Sequence, residues 1–482
     1  MKKLITLLLV SLLTLSCLTA CGGGGGGGQA KDDGKIVVWV GEESAAFYQK
    51  VCDEYVAAHP EFGYTVEVKG MDTGAVAGTI TTDPSKAADI FTVAHDNIGK
   101  LASTQCAKPI TDENLIKQVL ADNPQSFLNV IYSTLNGTSY LYGVPYISQA
   151  LFLYYNKELV SEEQAQTFEG LKAAAKAANT HAVTVTGDDG FNNSFALLAT
   201  KVADHSTSVK IYEGAEAVSG GSKGTSNCQG DDTVAIVRWL REYAADPNGF
   251  KWASTDGWDA DFDKSNKGVC AVIGGAWHYN TAVAAVGETN IGIGLIPTFT
   301  LTADHVEGLS GVAAGDVYRG GTFADCKVFM INAHSAASKY TALQQLVMYL
   351  SSKEVQNESF VACKNVPAYV GASEFIENAF KEGKVTESEF SLARAQVSMA
   401  EWGIPQPFLT GTLNTYYYSK NAPAVFRALI DQTAYPTTGD QFITEEEIKT
   451  VEGIRKGLYL MEYLWMHGTT PKEFPAAYPT KA

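Results

Sequence analysis

The chain has 482 residues, 45% of them hydrophobic, more than one core usually serves, so two domains are expected. Its 53 acidic residues outweigh 36 basic ones and leave a formal charge of −17, which argues against nucleic acid, whose binding rests on clustered Lys and Arg. The same balance disfavours a ligand chosen for negative charge and favours a neutral or cationic one.

In chain order, Lys2 and Lys3 precede an apolar run from Leu4 to Leu15, followed by Leu18, Thr19, Ala20 and Cys21. Residues 1–20 therefore read as a signal peptide and not as fold, the run being too short for a comfortable membrane anchor. The quartet ending in Cys21 resembles the lipobox of bacterial lipoproteins, which implies cleavage before Cys21, a lipid on that cysteine, and residence at the extracytoplasmic face of the cell membrane. Residues 21–34 contain the polyglycine run Gly22 to Gly28 and read as a flexible tether with a reach of about 20 Å. Later in the chain, no stretch is apolar enough to cross a membrane. Cys52, Cys106, Cys228, Cys270, Cys326 and Cys363 are scattered with no CxxC, so a zinc ribbon or redox motif is not expected. Several sit in apolar runs, and mostly free, buried thiols are the expectation, although an even number outside the cell permits disulfides.

Ile36 to Val40 reads as a buried strand. Phe47, Val51 and Tyr55 recur every four residues from an N-cap candidate at Ser44, and the helix stops at His59 and Pro60. Tyr64 to Val68 completes a βαβ unit. Asp89 to Val93 is a further strand, with helices from Asn97 and from Glu113, which predicts an α/β domain. From Leu141 the character repeats. Ala150 to Tyr155 is a strand, 161–178 and 232–246 read as helices, and Ser219 to Gln229 reads as a surface loop. Val269 to Ile273, Ile291 to Ile296 and Lys327 to Ile331 are strand candidates. Beyond Ser335 nearly everything is helical, including an amphipathic stretch from Glu445 to about Met466.

Five segments in this order carry a family resemblance: Lys35 to Val40, the Asp89 to Asp96 segment ending Ala-His-Asp, GVPYISQALFLYYNKEL over 143–159, FDKSNKGVCAVIGGAW over 262–277, and Gly294 to Phe299. Together they resemble the solute-binding proteins of carbohydrate ABC importers, most closely the maltose and maltodextrin-binding branch. The resemblance implies a two-lobed periplasmic-binding-protein-like fold of type II, with discontinuous lobes joined by hinge strands and ligand gripped between them. The lobes are then expected over 35–147 with 299–358 and over 148–298 with 359–470, with crossings near Ile147 to Gln149, near Ile293 to Thr298 and around 355–365. The implied function is capture of a malto-oligosaccharide or related neutral oligosaccharide by a monomer that serves ABC permease subunits, with no cofactor and no catalysis.

A sugar presents rows of hydroxyls and a flat C–H face, so its site needs carboxylates or amides and aromatic planes. Asp96, with Asn97 beside it, follows a strand end, where α/β sheets present ligand groups; the plainer role for Asp96 is a helix N-cap. Trp277 follows the flexible pair Gly274 and Gly275, against the alternative of a core tryptophan. Tyr416 and Tyr417, in the run ending at Tyr418, are candidates for a stacking position. Against the maltose pattern, Glu42 and Glu43 replace an Asp-Lys pair, Gln149 replaces a glutamate and Val93 a tryptophan. A Glu-Pro-Tyr segment has become Gly190 to Phe195, where Asn192 or Phe195 is a candidate contact. Trp402 is a candidate outer stacker, with a core role as its alternative. The dispersed histidines and the Asp256, Asp259, Asp261, Asp263 cluster do not fit a metal site, because Lys264 and Cys270 stand where a calcium loop needs Gly and Glu. Other readings are a surface glycoside hydrolase, for which no carboxylate pair at recognisable spacing is evident, and a binder of a non-sugar solute, which the aromatic candidates oppose.

Overall fold

The computed structural model describes residues 32–135, 138–186, 195–206, 210–213, 225–253, 257–263, 265–404, 421–436, 441–467 and 469–478. Residues 1–31, which hold the expected signal peptide, Cys21 and most of the expected tether, lie outside the described residues, as do Asn192, Tyr416 and Tyr417. The chain builds two sheets, each with its own apolar core.

In the first lobe, Thr65–Met71, Lys35–Gly41 and Ile90–Ala94 lie parallel in that order. Their connections are helices, Ala45–Ala58, expected from the four-residue period, and Thr73–Thr82, which the sequence pattern does not mark. Central strands covered on both sides read as continuous apolar runs, and Ile36, Val38, Ile90 and Phe91 are all fully buried. The strand Ala324–Asn332 adds antiparallel to Ile90–Ala94 and carries Ala107–Lys108 and Val144–Ala150 on its far side. In the second lobe the order is Phe250–Ala253, His181–Thr186, Val269–Gly274, Phe152–Asn156, Ile291–Gly294. Its core is aromatic: Phe168 meets Trp239, Tyr243, Phe250 and Phe195, and Trp239 stacks on Phe299 with centroids 3.8 Å apart.

The chain passes between lobes on adjacent strands. Ile147 packs in the first core and Ala150 in the second, while Phe323 packs in the second and Cys326 in the first. Ser148 N–H also donates to Val366 O at 2.8 Å, which sets a third segment beside them. The helix Lys353–Cys363 spans this last passage, with Val355 in the first core and Phe360 in the second.

Several expectations are corrected. The return to the first lobe falls at 324–326 and not near 298, because Thr298–Thr300 pairs with Val317–Arg319, which in turn pairs with Thr200–Lys201. Phe299, Leu301 and Tyr318 accordingly pack in the second core. Ser44 does occupy the N-cap position of the helix Ala45–Ala58, as expected, but its hydroxyl caps no helix N–H and accepts instead from Asn365 Nδ2 at 3.0 Å. The 161–178 stretch is α-helical only over Phe168–Ala178, where Thr167 Oγ1 caps Gly170 N–H at 2.9 Å. Thr225–Asn227, expected as loop, is a strand against Lys210–Glu213. Cys52, Cys106, Cys270 and Cys326 are free, buried thiols, as read from their apolar surroundings, and Cys363 is a free, half-buried one.

Phe195, a candidate ligand contact, is 2% exposed and stacks on Phe168 at 5.6 Å in the second core. Its neighbours are apolar rings, so it is a core residue. Phe195→Ala is expected to cost about 3–5 kcal/mol of stability in denaturant unfolding; a loss under about 1 kcal/mol would contradict this packing.

Candidate ligand-binding cleft

Between the lobes lies a cavity of about 640 Å³. It brings together Glu42, Glu43, Asp96, Asn97, Gln149 and Trp277, six residues singled out from the sequence. Glu42 and Glu43 stand in the 3₁₀ turn that ends the strand Lys35–Gly41, and Asp96 in the turn that ends Ile90–Ala94. Both turns follow the carboxyl ends of parallel strands, where an α/β sheet presents its ligand groups. The cap position of the Asp96 turn is occupied by Ala94, and Asn97 Nδ2 donates to Asp96 Oδ1 at 2.8 Å, which orients that carboxylate.

Trp277 reaches the cleft from the second lobe and is 44% exposed, which is unusual for so large an apolar ring. The strand Val269–Gly274 ends in a glycine pair. A Cβ on Gly275 would lie 2.2 Å from indole carbons of Trp277, so only glycine lets the ring fold over this backbone. Tyr154, fully buried, donates its hydroxyl to Gly275 O at 2.9 Å and holds the turn. Burial pushes His278, next in the chain, down to about 4, so this imidazole is neutral at neutral pH.

Asp325, Lys327, Asp72, Lys364 to Val366 and Gln396 also line the cavity, and none was singled out from the sequence. Asp325 and Lys327 alternate on the strand Ala324–Asn332, opposite Gln149 and Ile147 of Val144–Ala150. Two charged residues spaced by two at the head of an apolar strand were the available signal. Burial pushes the Asp325 carboxyl well above the usual range, and the neighbouring Asp96 carboxylate adds to this. Burial pushes Lys327 down, while Glu43, Asp325 and Asp72 oppose the shift. Asp325 Oδ2 stands 3.7 Å from Nδ1 of the buried His95. The Lys364 ammonium is engaged by Glu389 at 2.8 Å. Glu42, Glu43, Asp72 and Asp96 thus line one cavity together with Lys327, a surface rich in acceptors for hydroxyl or ammonium groups.

Trp402 is not among the cleft residues. It is half-buried, stacks on His205 with ring centroids 4.2 Å apart, and has the Arg319 guanidinium 5.2 Å from its ring. Of the aspartate cluster, Asp261 pairs with Lys251 and Asp263 accepts from Ser265 N–H at 2.7 Å, both ordinary structural uses.

The sequence pattern of bacterial extracellular solute-binding proteins matches residues 50–383, more than half of the chain. The chain belongs to this family. Among curated relatives, a maltooligosaccharide ABC transporter solute-binding lipoprotein of Streptococcus pneumoniae is 22% identical over 384 residues, 77% of this chain and 81% of that protein. A maltotriose-binding protein of Pyrococcus abyssi is 29% identical over 141 residues; the match spans 29% of this chain and 29% of that relative's length. Among solved structures, a maltodextrin-binding protein of L. casei, without ligand, is 19% identical and superposes with a TM-score of 0.67 over 89% of this chain and 99% of that one. At that identity the likeness establishes the fold, two lobes of α/β architecture.

For this solute-binding protein, the raised pKa of Asp325 has a consequence for stability. The native state keeps a proton that the unfolded chain releases at ordinary carboxyl values, so stability declines as pH rises from the unfolded pKa toward the native one. The melting temperature of Asp325→Asn relative to the unsubstituted protein should therefore rise as pH climbs from the ordinary carboxyl range, about 4, toward neutrality. A difference that stays constant across that range would mean that the carboxyl ionises alike in both states.

Proposed function

We propose that this chain is the substrate-capturing component of a sugar importer, and that its cleft closes on a neutral oligosaccharide, a malto-oligosaccharide or a close relative. The observation that carries this reading is the exposed indole of Trp277 on one lobe facing the acceptor-rich turns of Glu42, Glu43 and Asp96 on the other. Carboxylates accept from pairs of sugar hydroxyls, and an indole plane covers the C–H face of a pyranose. Such a site also discriminates strongly, since a wrong ligand leaves buried acceptors unpaired. The names of the relatives above, maltooligosaccharide- and maltotriose-binding proteins, support the same cargo.

Calorimetric titration with maltotriose, maltotetraose and unrelated oligosaccharides tests this. Saturable binding of a malto-oligosaccharide is expected, and Trp277→Ala and Asp96→Ala should each weaken it about tenfold or more, the exposed Trp277 doing so with the melting temperature of the free protein nearly unchanged. A flat response to every saccharide would sink the assignment.

In this reading Cys21 carries lipid, and the glycine tether confines the lobes near a permease while leaving them free to open and close. Cys21→Ala should shift the protein from the membrane fraction to the soluble one. Retention in the membrane fraction would rule out the lipid as its anchor.

A further inference from the structure

A second cavity, of about 350 Å³, lies within the second lobe, apart from the cleft. One wall is the helix Glu387–Ala400. Ser391, Arg394 and Ser398 recur on it at spacings of three and four, which places them on one face, and all three line the cavity. Arg319, at the end of the short strand Val317–Arg319, lines it too. Neither guanidinium has a carboxylate partner among the described residues, whose arginine ion pairs involve Arg427 and Arg455.

The two arginines differ in setting. Arg319 is half-buried: Nη1 donates to Ile296 O at 2.8 Å, whereas Nε is fully buried and meets no acceptor. A buried donor without an acceptor is costly, and burial depresses this guanidinium's pKa. Arg394 is exposed, and its guanidinium lies 5.4 Å from the Phe390 ring. Among the described residues, the one acid that lines the cavity, Glu162, is exposed. In a chain with 53 acidic residues, two arginines at one cavity without a carboxylate on either is a departure from the surrounding pattern. Tyr155, whose ring lies across Gly292 where a Cβ would approach it to 2.2 Å, adds an aromatic wall. The volume suits a compact ligand.

We propose that this cavity is a second ligand site, which takes a small organic molecule bearing a carboxylate or phosphate group held by Arg319 and Arg394. An oxyanion accepts from the guanidinium N–H groups that reach the cavity, and guanidinium groups bind such groups through charge-assisted hydrogen bonds. Two guanidinium groups outweigh Glu162 and leave the site a net positive charge for an anion.

The test is calorimetry on the mature full-length protein at fixed ionic strength, with inorganic phosphate, glucose 6-phosphate and glucuronate as probes and glucose as the neutral control. Saturable binding of at least one anionic probe is expected, and which one binds separates phosphate from carboxylate recognition. Arg394→Gln and Arg319→Gln should each weaken that binding about tenfold or more, whereas Trp277→Ala in the cleft should leave it unchanged. Arg394 is exposed, so its variant keeps the test valid if Arg319→Gln disturbs folding. No saturable heat with any anionic probe, binding that survives Arg394→Gln, or binding lost in Trp277→Ala would overturn the proposal.

Discussion

The antiparallel ladder between Val144–Ala150 and Ala324–Asn332 is the contact on which the rest of the structure depends. It is where two chain passages between the lobes run side by side, and its residues form part of the cleft wall. Opposed residues in such a ladder share a face, so Gln149 and Asp325 lie together, as do Ile147 and Lys327. The ladder is tied to both lobes. Gln396 of the helix Glu387–Ala400 donates to Ser148 O, and Thr322 Oγ1 accepts from Leu151 N–H at 2.7 Å. Asn365 donates to Ser44 and to Ser359, which joins the third passage to the end of the first strand. Hydrogen bonds across a hinge are directional but individually modest, so they fix register while leaving lobe rotation possible.

Around that ladder the electrostatics are arranged by depth. Glu42 and Glu43 are exposed at the strand end, Asp96 is nearly buried, and Asp325 is buried beneath it. Ionising the deepest carboxyl beside Asp96 is disfavoured by both desolvation and like charge, so the proton is retained there. Lys327, close to the same groups, balances part of the remaining negative charge. An acidic chain thus concentrates acceptors at the cleft without placing several bare charges in a dry interior.

Much of this was legible in the sequence because it is local. The first lobe's strand–helix–strand order is written in the switch between apolar runs and four-residue periodicity, and it appears as Lys35–Gly41, Ala45–Ala58 and Thr65–Met71. The cleft turns were legible for the same reason: polar residues directly after a buried strand mark its carboxyl end. Segments were misplaced where the deciding contact is distant. Thr298–Thr300 and Val317–Arg319 are three residues each, too short for periodicity, and it is pairing with each other and with Thr200–Lys201, together with packing in the second core, that keeps them in the second lobe. Phe195 and Trp402 are aromatic residues in loops by sequence, and only packing separates a core ring from a cleft ring.

The sequence by itself determined the α/β class and the placement of Asp96 and Trp277 after strand ends, since alternation and glycine pairs act over a few residues, whereas Glu42 and Glu43 stood out through the family resemblance. Tertiary structure alone decided which of those ends meet. It also placed Asp325 and Lys327 in the cleft and set Arg319 and Arg394 around a second cavity, because pairing between residues far apart in the chain has no local signature.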